Sequence, residues 1–406
     1  MISESKNWKS RTILFLVSQC ITLFGSTLVQ MAIVWFVTLK TSSGVWVAAF
    51  TICSYLPQFI ISFIGGVWAD RYSRKMLIIA ADSIIALVTL AMLLVMPHIT
   101  TESTLLGSLL IMSAIRSLGA GVQTPAVNAV VPLLVPEPQL MRFNGINATM
   151  QSMVQFAAPA AAGAILSLST LRSTLLIDIL TAVLGISLLA CIVIPKHEVQ
   201  KEKVPVSADI KIGIQYAFSS KMIGKLLVVY GLFIFFSVPA GFLAQLFVSR
   251  TFGDTYWYLT AVELVGFAGM IAGGLIISAW GGFKSRIKTL TIALAANGLL
   301  TAMIGLSQSF MPYLTMMLVY GITVPVVQTA TTTLIQEKVE ISMQGRVFGL
   351  LNSVYSGFLP IGMAIFGPLA DKIALQWIII GSGVVLILIA ATCPFSKHFT
   401  HNSELI

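Results

Sequence analysis

The stretch GGVWADRYSRK, residues 65–75, places one acid, three bases and two adjacent glycines within eleven positions. Long apolar runs flank it on both sides. Only 10% of the 406 residues are charged, so such a dense group of charges needs a physical reason. The boundary between a membrane and water is a place where charged side chains are tolerated between apolar helices.

The composition excludes an ordinary soluble protein. Hydrophobic residues make up 57% of the chain and charged residues 10%, whereas soluble domains are about one-quarter charged. Because a run of about 20 apolar residues spans the hydrocarbon core as a helix, the recurring runs predict an integral membrane protein. The first run has no small-residue cleavage site and is predicted to remain as the first transmembrane helix.

Apolar windows separated by charged or turn-rich breaks predict twelve transmembrane helices. The predicted fold class is therefore an all-α membrane protein. The fourth and fifth spans are the least clearly separated, because asparagines crowd their junction. The predicted spans are 13–39, 45–67, 76–97, 104–126, 146–168, 174–194, 223–248, 257–279, 287–307, 310–333, 348–368 and 375–394.

The basic residues are distributed unevenly between the two sides of this topology. With both termini in the cytoplasm, 19 of the 24 lysines and arginines fall in cytoplasmic segments and four in external loops, with Arg116 left inside a span. Such a bias predicts this orientation in a cell membrane. The bases lie in scattered short loops, so contact with anionic lipid explains the net charge of +9, and nucleic-acid binding is not predicted.

A repeat and a polar break divide the chain into two halves. PAVNAVVPLLVPEPQLMRFNG, residues 125–145, aligns without gaps to PVVQTATTTLIQEKVEISMQG, residues 325–345. The predicted organisation is a six-helix bundle over residues 1–194, a cytoplasmic linker over 195–222 and a second six-helix bundle over 223–406. Two parallel six-helix halves with a transport path at their interface are the architecture of the major facilitator transporters.

The opening stretch resembles the signature that the major facilitator superfamily carries between its second and third helices. It reads G-x-x-x-D-R-x-x-R-K over Gly66, Asp70, Arg71, Arg74 and Lys75. The resemblance implies a major facilitator fold with pseudo-two-fold symmetry. It also implies that the glycine allows close helix approach and that the charges form a conformational latch on the cytoplasmic side. The second half has a comparable segment, GGLIISAWGGFKSRIK at 273–288, which lacks the acid.

Further segments resemble one branch of this family. Arg116 precedes a glycine-rich stretch in the fourth span, as in proton-coupled members, and Pro159 with Gly163 resembles a degraded antiporter element in the fifth span. This element implies bending and close helix packing. The segments VPEPQL (135–140), LLIDIL (175–180) and LIQEKV (334–339) resemble drug:proton antiporters that include the bacterial macrolide efflux proteins.

Four charged residues lie more than one helical turn inside the predicted spans, where an unpaired charge costs several kcal/mol. Asp82 either pairs with Arg71 or Arg74 or takes part in proton coupling. Arg116 is predicted to face the cavity and hold an acid or an anionic substrate group. For Asp178, a hydrogen-bonded structural acid and a proton-coupling acid are both open readings; for Glu263, proton coupling is the hypothesis.

Polar and aromatic residues within the spans are candidates for the substrate path. Packing and the interfacial aromatic belts are the alternative explanation for most of them. The candidates are Gln30, Trp35, Tyr55, Asn147, Gln151, Tyr230, Gln245, Asn352 and Tyr355.

These patterns together predict a secondary transporter that works by alternating access. The resemblance implies export of an amphiphilic small molecule, such as a macrolide antibiotic, in exchange for protons, by a monomer in the cell membrane. A siderophore or lysophospholipid transporter is the alternative within the same fold. A membrane enzyme is disfavoured because the four histidines lack partners at ligand spacing. No metal or cofactor is predicted, and no phosphate-binding loop motif is present.

Overall fold

A computed structural model of the chain describes residues 8–136, 140–194, 215–216, 218–339 and 341–392. Within these ranges the secondary structure is helical and contains no strand. The helices are α1 Trp8–Thr41, α2 Gly44–Arg71, α3 Arg74–Val95, α4 Glu102–Leu134, α5 Leu140–Leu168, α6 Leu171–Ala190, α7 Lys221–Gly241, α8 Ala244–Thr251, α9 Tyr256–Trp280, α10 Arg286–Gly305, α11 Phe310–Lys338, α12 Ile341–Ala370 and α13 Leu375–Thr392. A 3-10 turn, Met96–His98, follows α3.

The helices account for the predicted spans. In the described part of the chain, eleven spans are long and apolar enough to cross a membrane. The remaining predicted span corresponds to α5, whose 29 residues exceed the roughly 20 needed to cross the hydrocarbon. Several helices continue past the predicted boundaries; α4, for example, extends to Leu134 rather than to residue 126. Hydropathy marks the embedded part of a helix, whereas its backbone hydrogen bonds can continue into water.

The seventh span is not the single helix that the sequence predicted over 223–248. It divides into α7, ending at Gly241, and α8, beginning at Ala244. Pro239 lies just before the break, and proline removes a backbone donor and crowds the preceding turn. The N–H groups of Phe242 and Leu243 both donate to the carbonyl of Val238, at 2.9 and 3.2 Å. The helix is thereby interrupted near one end of the span.

The helices form two compact units. The first holds the described residues of Met1–Lys40, Ala49–Lys201 and Thr255–Thr260, and the second holds those of Thr41–Ala48, Glu202–Asp254 and Ala261–Ile406. In the first unit, α3 and α4 pack around buried side chains that include Ile78 and Val130. In the second, α10 and α13 approach so closely that a Cβ on Gly298 would lie 2.7 Å from the carbonyl oxygen of Gly383.

The segments before α3 and α10 share a local arrangement. Ser73 caps α3 and Ser285 caps α10, each accepting a hydrogen bond from the backbone N–H three residues later, as N-cap serines do. The next residue, Arg74 or Arg286, donates to the carbonyl five residues earlier, that of Ala69 or Gly281. The charged turn of the opening stretch therefore has a structural counterpart in the second half. The domain boundaries at 194 and 223 stay a prediction, since the linker lies mostly outside the described residues.

Candidate functional site

Arg116, at mid-length on α4, forms a buried ion pair with Asp178 on α6. The guanidinium contacts Asp178 through Nη1 and Oδ2, with a second contact of 3.4 Å between Nη2 and Oδ1. Thr89 on α3 completes the group: its hydroxyl accepts a hydrogen bond from Arg116 and lies 3.1 Å from Asp178 Oδ2. The two charged side chains are 9% and 2% exposed. The sequence predicted that Arg116 would hold an acid or an anionic substrate group, and the acid that it contacts in the structure is Asp178.

A polar pocket lies beside this ion pair in the first unit. Its volume of about 70 Å³ is enough for several water molecules. α1, α2 and α4 each contribute residues that are three, four or seven positions apart. Residues at these spacings share one face of a helix. Arg116 is the charged group among the lining residues, which are Ser26, Gln30, Ile33, Val34, Ser54, Gln58, Ile85, Ser113, Arg116, Ser117 and Ala120.

Ser117 joins two walls of the pocket. Its hydroxyl donates to the carbonyl of Ser54 at 2.8 Å and accepts from the N–H of Gln58 at 2.9 Å. In an α-helix the N–H and C=O groups four residues apart bond to each other, so a side chain from α4 bridges one turn of α2. Pro57 lies in that same turn. The bridge fixes α2 where Gln58 lines the pocket.

Asp82 is buried on α3 in the same unit. It is 5% exposed, and its Oδ2 has no hydrogen-bond partner among the described residues. Gln123 on α4 interacts with this carboxyl, and Asp178 acts on it electrostatically. Gln123 also donates to Gln19 at 3.2 Å. Arg74, one of the two partners predicted for Asp82, instead donates to backbone carbonyls.

Glu263, the fourth predicted ionisable residue, belongs to the second unit. Gln245 on α8 donates a hydrogen bond to Glu263 Oε1 on α9. Gln245 is the second residue of α8, just after the break, and is 6% exposed. Tyr313 on α11 is fully buried and interacts electrostatically with Glu263. The predicted proton-coupling residues thus divide into three in the first unit and one in the second.

The charged stretch that opened the sequence lies at the end of α2 and the start of α3. Arg74 donates to Ala129 on α4 at 2.7 Å. Lys75 donates to the carbonyls of Ala190 and Ile192 at 2.7 Å, which caps the end of α6. Both side chains therefore have structural roles within the first unit. The side chains of Asp70 and Arg71 lie outside the described residues.

The glycine at the close helix contact is not the one that the family resemblance implied. In the described part of the chain, a Cβ added to Gly66 would meet no atom within 4 Å, whereas one added to Gly65 would lie 2.6 Å from the carbonyl oxygen of Gly121 on α4. The close contact with α4 is therefore made one residue earlier than the resemblance implied. One residue corresponds to a rotation of about 100° around the axis of α2.

The two residues of the antiporter-like element, Pro159 and Gly163, both lie on α5. Pro159 lies inside α5. A Cβ on Gly163 would overlap the Thr260 side chain at the start of α9. Glycine thus permits a close approach between the two helices at this point.

Of the predicted substrate-path residues, Gln30 lines the pocket. Trp35 is fully buried in the core, while Tyr230 is 7% exposed and packs against Phe233 with ring centroids 6.2 Å apart. Tyr355 interacts electrostatically with Tyr230. The structure places the other five outside the lining of this pocket: Tyr55, Asn147, Gln151, Gln245 and Asn352.

Several pocket residues were missed by the sequence reasoning. Ser54 with Gln58, and Ser113 with Ser117, are pairs spaced four residues apart within apolar spans. This spacing puts both members on one face of a helix. The signal was therefore present in the sequence, although small polar residues are common enough in membrane helices to hide it.

Comparison with known proteins agrees with this architecture. A family model described as Major Facilitator Superfamily matches residues 15–363. The chain is 31% identical over 397 residues to macrolide efflux protein A of Streptococcus pyogenes, covering 97% of each chain. It is 30% identical over 321 residues to macrolide efflux protein A of Enterococcus faecalis, covering 78% of this chain and 98% of that protein.

Solved transporter structures share the fold at lower identity. A bacterial homologue of the iron transporter ferroportin, in an inward-facing state, has a TM-score of 0.73 at 16% identity and covers 95% of this chain and 98% of its own. A bacterial homologue of the human lysosomal transporter Spinster has a TM-score of 0.71 at 14% identity, covering 98% and 97%. With the matching helices and the family model, the conclusion is that this chain belongs to the Major Facilitator Superfamily.

Proposed function

We propose that this protein exports an amphiphilic small molecule of the macrolide class in exchange for protons. The observation that carries the proposal is the 31% identity to a macrolide efflux protein over 97% of both chains. A polar pocket beside a buried ion pair supports it. The helical bundles of residues 1–194 and 223–406 would rock about a central path, as transporters of this architecture do.

Glu263 is the residue that we propose carries the proton. Its carboxylate accepts a hydrogen bond from the neutral amide of Gln245. After protonation the carboxyl group could still form a hydrogen bond with the same amide. Protonation of Asp178 would instead break a buried ion pair with Arg116, which is costly. Arg116 lines the pocket and is paired with Asp178, so these two residues and Asp82 remain part of the proton-coupling proposal. The latch role of Gly66, Asp70, Arg71, Arg74 and Lys75 and the hinge role of Pro159 and Gly163 remain part of the same proposal.

A susceptibility panel with and without the gene tests the substrate class. Expression is expected to raise the tolerance of a sensitive host to macrolides. The panel should include a siderophore and a lysophospholipid, because the alternative within this fold would protect against, or transport, those compounds. No change for any macrolide, at confirmed membrane expression, would overturn the substrate assignment.

Proton coupling is tested with Glu263→Gln. Because glutamine cannot bind and release a proton, efflux of a fluorescent or radiolabelled macrolide should fall at least about tenfold and lose its dependence on the proton gradient. The matched control is Glu102→Gln, which removes an exposed acid at the start of α4 and should leave efflux unchanged. Undiminished, ionophore-sensitive efflux by Glu263→Gln would remove Glu263 from the coupling mechanism.

A further inference from the structure

The loop between α9 and α10 begins with a turn that two glycines make. α9 ends at Trp280 and α10 begins at Arg286. Both glycines that follow Trp280 have left-handed backbones, with a φ of 73° at Gly281 and 80° at Gly282. Glycine adopts this conformation without steric cost and is common where a helix ends. The N–H of Gly281 donates to the carbonyl of Ile277 at 2.8 Å, which completes the last turn of α9.

Two aromatic rings and a lysine pack on one another at this loop. The ring of Phe283 meets that of Trp280 edge to face, with ring centroids 4.6 Å apart and an angle of 85° between the planes. The ammonium group of Lys288 lies 5.3 Å from the centroid of the Phe283 ring, which is within the range of a cation–π contact. Trp280 is nevertheless 48% exposed. A tryptophan at the end of a membrane-spanning helix is typical of the boundary between hydrocarbon and lipid headgroups.

The bases at this loop are not balanced by acids of the protein. Arg286 donates through Nε to Glu337 Oε1 at 3.1 Å and through Nη1 to the carbonyl of Gly281 at 2.7 Å. Lys284 and Lys288 are both exposed. Neither ammonium group contacts a carboxylate or a carbonyl oxygen of the described residues. The described part of the chain therefore leaves two cations here without a direct counter-charge.

The corresponding loop of the first half uses its bases differently. Its Arg74 and Lys75 both donate to backbone carbonyls of neighbouring helices, so their charges are used within the protein. Counted from the N-cap serines, Ile287 stands at the position of Lys75, and Gly282 stands at the position of Asp70, the acid of the signature. The second loop thus lacks the acid and has its spare bases at exposed positions.

We propose that the basic aromatic surface formed by Trp280, Phe283, Lys284 and Lys288 binds the phosphate group of an anionic phospholipid. The two ammonium groups donate to phosphate oxygens, as charged donors do strongly. The loop lies on the face that the charge distribution places in the cytoplasm, where anionic lipids attract basic segments close to membrane helices. The lipid supplies the counter-charge that the protein lacks. This inference goes beyond the proposed function, because it requires neither a macrolide nor a proton gradient.

The apolar side chains around the two lysines favour a lipid over a soluble phosphate. A free phosphate ion interacts with the charges alone. A phospholipid in addition covers the exposed face of Trp280 with its headgroup and glycerol region. Leu275 and Ile276, about one turn earlier on α9, are 67% and 46% exposed and continue this surface into the span, where acyl chains lie against it. The basic aromatic surface therefore matches both the charged and the apolar part of a phospholipid.

The test measures lipid binding to the purified full-length protein. The protein in detergent is titrated with anionic dioleoyl phosphatidylglycerol or with zwitterionic dioleoyl phosphatidylcholine, and bound lipid is counted by native mass spectrometry. The parent should bind phosphatidylglycerol more tightly than phosphatidylcholine. The double variant Lys284→Gln with Lys288→Gln should bind phosphatidylglycerol at least about tenfold more weakly, because each lysine near an anionic surface changes binding about fivefold. Its binding of phosphatidylcholine should not change.

The matched control is the double variant Lys9→Gln with Lys221→Gln. Both lysines are exposed and lie in segments predicted to be cytoplasmic, so this variant has the same net charge as the test variant and should keep the affinity of the parent. Equal losses in the two double variants, or equal binding of the two lipids by the parent, would overturn the site. Displacement of phosphatidylglycerol by millimolar inorganic phosphate would overturn the choice of a lipid. No drug is transported in this test, so its outcome is independent of the macrolide assignment.

Discussion

At the residue scale, the pairing of Arg116 with Asp178 is the feature that organises the candidate site. The sequence showed that a guanidinium in the fourth span needs an acid. It could not choose between Asp82, Asp178 and Glu263, because these lie on different helices and only the packing of α3, α4 and α6 decides which one is in reach. Thr89, the third member of the group, carried no signal of its own among many threonines in apolar spans.

Breaking this pair is expected to destabilise the protein more than neutralising both charges. Removing one partner leaves a buried charge unpaired, which lowers the stability by about 3–5 kcal/mol. Replacing both partners with apolar groups often changes the stability little. We expect Arg116→Leu and Asp178→Leu each to lower the thermal stability of detergent-purified protein, and the double variant to recover much of the loss. The measurement is the fraction of protein that elutes as a single species after heating.

Arg172→Leu is the control for this cycle. Arg172 is an exposed residue in the first turn of α6, so its removal should change stability by less than about 0.5 kcal/mol. Additive losses in the Arg116 and Asp178 double variant would show that the two charges do not depend on each other.

At the element scale, the pocket is built from polar faces on three otherwise apolar helices. Ser26 with Gln30, and Ser54 with Gln58, repeat at four-residue spacing. These faces could be predicted from helical periodicity alone. The bridge from Ser117 to the backbone of α2 could not, because it depends on the position of Ser117 beside the turn that contains Pro57. The break between α7 and α8 had a visible cause in Pro239, but many membrane helices accommodate a proline without ending.

α2 and α4 approach each other closely at Gly121 of α4, and this contact gives a prediction about stability. A Cβ on Gly121 would lie 2.7 Å from the carbonyl oxygen of Gln58 and would overlap Ile61. Gly121→Ala should therefore force the helices apart and destabilise the protein by about 1–3 kcal/mol, measured by thermal unfolding in detergent. Because the contact borders the pocket, substrate affinity should fall with stability.

Gly107→Ala tests whether this effect comes from crowding. Gly107 also lies on α4, but an added Cβ would meet no atom within 4 Å among the described residues. Alanine favours helix by up to about 1 kcal/mol relative to glycine, so this variant should be as stable as the parent or more stable. A loss of stability equal to that of Gly121→Ala would contradict the crowding argument.

At the scale of the whole molecule, the helical class and the membrane spans followed from the sequence, because the bilayer allows few other structures, although the seventh span is divided between α7 and α8. The repeat at a 200-residue offset indicated that the turns at 125–145 and 325–345 are equivalent in the two halves. The N-caps at Ser73 and Ser285 show that the segments before α3 and α10 are also equivalent. The hydrogen bond between the backbone N–H of Gly44 and the carboxylate of Asp371 had no comparable signal. Asp371 and Gly44 are 327 positions apart, and nothing in their local sequence announces the contact that the fold creates.

The orientation of the molecule in the membrane can be tested directly. Nineteen bases on one side against four on the other favour cytoplasmic retention of the base-rich loops. Alkaline phosphatase, which is active only outside the cytoplasm, should be active when fused after residue 253 and inactive when fused after residue 284. These points bracket α9, so the pair serves as its own control. Activity at 284 and none at 253 would show that the topology is the opposite of the predicted one.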